Sequence, residues 1–142
     1  MNSAEQDPAR VRQLRLVVAV PEDEDFDRVL AFYRDVIGMP VAEAYESDGD
    51  ARVVILDAGR ATLELSNAAQ VRMIDAIETD GCSSKPLRVA LEVTDSETAT
   101  ADAVAHGAAL SAAPRETPWR SLNSRIDGPA GLQLTLFQEL DA

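Results

Sequence analysis

Leu14-Arg15-Leu16-Val17-Val18-Ala19-Val20 and Leu87-Arg88-Val89-Ala90-Leu91-Glu92-Val93 read as two versions of one strand. In each, large aliphatic residues take alternate positions, and an arginine follows the first of them. Side chains two apart share a face of a strand, so each copy has one greasy face and one mixed, smaller face. Arg15 and Arg88 stand 73 residues apart. Self-similarity at a fixed offset within a short chain points to a duplicated supersecondary unit.

Outward from the first copy, the acids at 22–25 suit a helix N-terminus, where the macrodipole favours negative charge. Their spacing does not match a calcium loop. Phe26, Val29, Leu30, Tyr33, Val36 and Ile37 then recur at steps of three and four, which predicts one face of a helix ended by Gly38 and Pro40. Strands are expected at 41–47, 51–58 and 61–66, with turns at Ser47-Asp48-Gly49-Asp50 and at Gly59. A helix is expected at 68–79, carrying Val71, Ile74 and Ile77 on one face, and 81–86 reads as a linker.

After the second copy the order repeats. Asp95 and Ser96 can cap a helix running to about residue 106 and ending at Gly107. Strands follow at 108–114, 119–127 and 131–138, with Gly128-Pro129-Ala130-Gly131 as a hairpin signal. The expected fold class is α+β: two βαβββ modules, at about 13–67 and 87–138, joined by a linker segment at 68–86. They form a single domain over 13–142 behind a loose tail at 1–12. If the sheets curl, the mixed faces line a cup with helices on its outer face; if they stay open, those faces are merely solvated.

Composition narrows the function. The chain has 142 residues and a net charge of −12, which excludes a basic footprint for nucleic acid. Its hydrophobic fraction of 46% is ordinary for a globular domain, and no apolar run reaches the ~20 residues that span a bilayer. One cysteine, Cys82, leaves no internal disulfide, and residues 1–13 are polar without a secretory core. A cytoplasmic protein is expected, with no nucleic-acid or membrane partner.

Two further segments carry a resemblance. Phe32-Tyr33-Arg34-Asp35-Val36-Ile37-Gly38 resembles the helix end "FYrdvLG" of the vicinal oxygen chelate family. Pro118-Trp119-Arg120, leading into Asp127-Gly128-Pro129-Ala130-Gly131-Leu132-Gln133-Leu134-Thr135-Leu136-Phe137-Gln138, resembles that family's ending "PWG … DPdGn.iElfq". With the repeat, the likeness spans residues 13–138. The family includes glyoxalase I, extradiol dioxygenases, methylmalonyl-CoA epimerase and the fosfomycin- and bleomycin-resistance proteins. The resemblance implies curved sheets around a cup, homodimers, and a divalent metal held by His, Gln or Glu from four strands. Those four positions fall on Arg15, Glu64, Arg88 and Thr135.

Arginine stays protonated and has no lone pair for a metal, and threonine replaces a carboxylate poorly. The expectation is therefore no metal and no cofactor. The first reading is a metal-free small-molecule binding protein that sequesters an anionic or antibiotic-like ligand. Arg15 and Arg88 would grip an anion, Glu64, Glu92 and Thr135 would orient it, and Trp119 and Phe137 would give apolar walls. A second reading is a lyase, isomerase or dioxygenase-like enzyme with non-standard residues, Glu64 or Glu92 acting as acid or base. A third is an accessory module that dimerises through exposed strand edges. The plainest is that Arg15, Glu64 and Arg88 pair with one another and close the cup. His106 reads as a helix cap, Cys82 as incidental, and Trp119 as core or a dimer contact if not a ligand wall.

Overall fold

The computed structural model describes residues 10–141. Eight strands form one sheet: β1 (Val11–Ala19), β2 (Val41–Ser47), β3 (Ala51–Asp57), β4 (Thr62–Ser66), β5 (Leu87–Val93), β6 (Ala109–Glu116), β7 (Ser121–Asp127) and β8 (Gln133–Glu139). Their order is β2-β3-β4-β1-β5-β8-β7-β6. Residues 1–9 of the expected tail lie outside the described residues, and Val11 and Arg12 already belong to β1. Among the described residues, no helix is long and apolar enough to cross a membrane.

The repeat has a direct structural meaning. The two copies, β1 and β5, lie side by side and antiparallel, with Arg15 opposite Ala90 and Val17 opposite Arg88. Leu16 faces its own counterpart, Val89, and the positions on either side of it exchange symmetrically, which is the pairing a local two-fold axis produces. On either side, the module's last strand adds in parallel, β4 on β1 and β8 on β5.

The greasy faces pack against two helices, α1 (Phe26–Ala31) and α3 (Ser96–Ala105). Val20, Leu30, Val54, Leu56 and Leu65 form the core under α1; Val93, Ile126 and Leu136 form the core under α3. Asp25 caps α1 through Asp27 and Arg28 backbone N–H groups, and Asp95 caps α3 through that of Thr98. The predicted helix over 26–37 does not continue as α-helix. At Phe32–Val36 it widens into a π turn, with the Ile37 N–H donating to the Phe32 carbonyl at 3.0 Å. The wider turn rotates the apolar stripe off the core. Tyr33 still packs against the cluster, while Phe32, Val36 and Ile37 are exposed.

The third helix takes a different place. α2 (Ala68–Thr79) fills most of the expected linker and lies across the concave face of the sheet rather than outside it. The Asn67 carboxamide oxygen accepts from the N–H groups of Gln70 and Arg52, tying the helix start to β3. Its other end is held by an ion cluster. Arg125 of β7 has no solvent exposure; it donates to Asp75 at 2.6 Å and to Glu78 at 2.9 Å. Ser84 donates to Asp75, and Asn123 donates to Glu78 at 2.8 Å. With these groups the two carboxylates are largely satisfied, as burial of an ion cluster requires.

Removing one member of such a cluster leaves charge buried without its counterpart. Arg125→Met is expected to cost about 3–5 kcal/mol, measured by urea denaturation. Adding Asp75→Asn and Glu78→Gln should recover most of that loss. A single variant as stable as the parent would contradict the role given to this arginine.

Candidate functional site

Between α2 and the concave face of the sheet is a cavity of about 610 Å³. Its floor comes from the four central strands, where Arg15 (β1), Glu64 (β4), Arg88 (β5) and Thr135 (β8) all reach the same space. Register explains the convergence. Glu64 pairs with Val17, which pairs with Arg88, while Arg15 pairs with Ala90, which pairs with Thr135. Strand alternation then turns all four side chains to one face.

The arginines are only partly engaged. Arg88 is buried and donates through Nη1 to the Thr135 hydroxyl at 2.7 Å, and that hydroxyl donates on to Glu78 at 3.4 Å. The buried Nε–H of Arg88 has no partner. Arg15 donates through Nε to Gln13 at 2.7 Å, and its Nη1 stands 4.0 Å from Glu64. Its guanidinium also lies over the Phe137 ring, 5.1 Å from the centroid. The three central charges therefore do not collapse onto one another, and open volume remains beside them.

Six of the seven residues singled out from the sequence line this cavity: Arg15, Glu64, Arg88, Trp119, Thr135 and Phe137. Glu92 does not. It shares the mixed face of β5 but pairs with Gln13 beyond the cavity wall. Phe137 is buried, whereas Trp119 is 47% exposed at the turn between β6 and β7. The next residue, Arg120, takes a left-handed conformation at φ 64°, a region that favours glycine. Its side chain is held by Glu116 at 2.6 Å and Asp141 at 3.3 Å, which fixes the turn that carries Trp119. His106 sits at the end of α3, its ring against the Asp102 carbonyl, in the capping role expected.

The sequence reading missed the opposite wall. Met73, Ile74 and Ile77 of α2 face the cavity, and Glu78 closes one end of it. Asp75 and Glu78 do stand three apart on a predicted helix, and so share a side of it. Nothing local marks Arg125 as their partner. Tyr45 and Glu43 of the edge strand β2 line the cavity as well, the Tyr45 hydroxyl donating to Glu43 at 2.6 Å.

The metal implied by the family resemblance does not fit these residues. The four positions supply two guanidiniums, one carboxylate and one hydroxyl that already serves Arg88 and Glu78. Among the described residues, no three His, Cys, Asp or Glu side chains are grouped as a metal site needs.

Burial pushes the Glu64 carboxyl above the ordinary carboxylate range. Arg88 and Arg15 pull it back down, and Glu78 and Glu43 add to the rise. A carboxyl raised on folding favours the fold while protonated. That contribution is complete below the unfolded-state pKa and is lost as pH rises through the folded value. Glu64→Gln removes the loss, so the variant should match the parent in acid and exceed it in stability at neutral pH. Urea denaturation across pH 4–8 checks this, and a variant less stable than the parent at pH 7 would contradict it.

The family model described as a glyoxalase-like domain matches residues 16–137. No curated protein matches the chain significantly. Among solved structures, a glyoxalase/bleomycin resistance protein/dioxygenase superfamily member from Vibrio splendidus superposes with a TM-score of 0.60 at 16% identity, covering 89% of this chain and 98% of its own. A hypothetical protein from Bacillus halodurans gives 0.65 at 13% identity, covering 90% and 94%. A methylmalonyl-CoA epimerase from Streptomyces coelicolor gives 0.62 at 19% identity, covering 94% and 98%. At these identities the likeness is one of fold. The match over nearly the whole chain, on the βαβββ duplication described above, places this protein in the glyoxalase-like domain family.

Proposed function

We propose that this protein is a metal-free small-molecule binding protein whose cup holds a partly apolar ligand by an anionic group between Arg15 and Arg88. The observation that carries this reading is Arg88: a buried guanidinium that lines an open cavity and has no carboxylate at ion-pair distance among the described residues. A buried cation without a counter-ion costs free energy in the empty protein, and an anionic group on a ligand offsets that cost. A guanidinium also grips a carboxylate by two parallel hydrogen bonds. The apolar body of the ligand would rest on Phe137, Trp119 and the isoleucines of α2, in a cavity of ordinary ligand-site size. An antibiotic-like ligand is one member of this class. The single cysteine fits a reducing compartment such as the cytoplasm. Exposed β2, at one end of the sheet, supports a homodimer formed through unpaired edges.

One observation favours a second reading, a lyase- or isomerase-type enzyme. Glu64 lines the cavity with no hydrogen bond among the described residues, its proton affinity raised by burial and modulated by two arginines. That is an arrangement an acid/base group uses. Turnover of a bound compound, followed by NMR, separates this from simple binding.

Trp119 is the only tryptophan in the chain, so fluorescence reports directly on the cavity rim. Titration with carboxylate-bearing aromatic compounds should change its emission. Arg88→Met should weaken that binding about tenfold or more, the equivalent of about 1.4 kcal/mol, while leaving binding of neutral analogues unchanged. Equal affinity for carboxylate and neutral compounds in the parent protein would refute the anion-grip reading.

A further inference from the structure

We infer that the ligand of this cup is a zwitterion, its carboxylate held by Arg88 and Arg15 and its amine by Glu43 and the Tyr45 ring. This rests on the ligand-binding reading above and names the chemical class that reading leaves open.

Charge favours such a ligand. The charged side chains that line the cavity are two cations, Arg15 and Arg88, and four anions, Glu43, Glu64, Glu78 and Glu139. Of these, Glu78 is committed to Arg125. A ligand bringing a carboxylate alone therefore adds negative charge to a partly desolvated lining in which anions already outnumber cations, which low-dielectric surroundings penalise. A ligand that brings its own cation adds no net charge.

An anion without a cationic partner stands on the edge strand. Glu43 lines the same cavity, and no arginine or lysine lies within salt-bridge distance of it among the described residues. Its one side-chain hydrogen bond comes from Tyr45, a half-exposed residue that also lines the cavity. A carboxylate beside an accessible aromatic face is a pairing that holds ammonium groups, by charge and by cation–π attraction. The floor and this pole are electrically in view of each other. Glu43 acts on Glu64, and Arg15 acts on the Tyr45 phenol.

Reach is compatible with this assignment. Glu43 pairs with Ile55 and Ile55 with Glu64, so Glu43 lies three strand spacings from Arg15 on β1 and four from Arg88 on β5. That is roughly 14–19 Å between strand backbones. The side chains converge inward across the concave face, which shortens the gap between charged groups. Opposite charges joined by one flat apolar ring fit such a span, with Phe137 below and Ile74 above.

Three isosteric probes test this on the intact protein: para-(aminomethyl)benzoate, para-methylbenzoate and para-methylbenzylamine, titrated calorimetrically and by Trp119 fluorescence. The zwitterion is expected to bind at least tenfold more tightly than either singly charged probe. Glu43→Gln, a change on an exposed edge strand, should abolish that advantage by weakening zwitterion binding, while para-methylbenzoate, relieved of a nearby like charge, binds at least as tightly as before. If para-methylbenzoate binds as tightly as the zwitterion, or if Glu43→Gln leaves the advantage intact, the inference is overturned while the anion-grip reading stands. If none of the three binds at millimolar concentration, both fall.

Discussion

The cup has a fixed shape because an arginine that never meets water is held between two carboxylates of a helix. Arg125 on β7 engages Asp75 and Glu78 on α2, and this contact keeps α2 over the concave face. Were α2 to lie elsewhere, the mixed face of the sheet would be an open, solvated surface. Guanidiniums there would be hydrated and would offer little to a ligand. With α2 in place, the same residues look into a partly dry cavity, where a charged hydrogen bond counts for more. The ion cluster therefore links fold to function: it sets the volume of the site and the polarity of its surroundings.

Duplication gives this fold two equivalent strand positions at its centre, and here both carry arginine. In a family implied to use such positions for a metal, that exchange replaces an ion by fixed positive charge. Under the proposed function, such a site recognises a ligand rather than polarising it. A guanidinium is planar, permanently charged and directional, so it selects the shape of an anion as well as its sign. Glu64, raised by burial yet flanked by Arg88 and Arg15, tempers that positive charge rather than cancelling it. Arg88 in particular is stationed by Thr135 with one donor still free.

Much of this was legible in the sequence, for reasons that can be named. Strand alternation around Arg15 and Arg88 indicated which side chains share a face, and likewise for Glu64 and Thr135 on their own strands. That the four meet on one floor was implied by the family resemblance and not by any local pattern. The limits of α2 and β5 were legible too, because Asn67, Gly81 and the alternation from Leu87 punctuate the chain clearly. The place of α2 was not. It depends on pairs 47 and 50 residues apart, Arg125 with Glu78 and with Asp75, which no local pattern encodes. The same holds for Glu43 and Tyr45, which reach the cavity only because the sheet curls. Glu92 illustrates the opposite failure: alternation assigned its face correctly but not its distance along the strand. The π turn at Phe32 likewise broke a periodicity that read as one continuous helix.

The central claim is that fixed arginines, not a metal ion, supply the positive charge at the heart of this cup. Metal analysis of the purified folded protein tests it most directly, before and after incubation with Zn²⁺, Mn²⁺, Fe²⁺ and Ni²⁺ followed by desalting. The account predicts far less than one equivalent of any metal per chain in every sample. Stoichiometric retention of one of these ions, lost on substitution of Glu64, would contradict it.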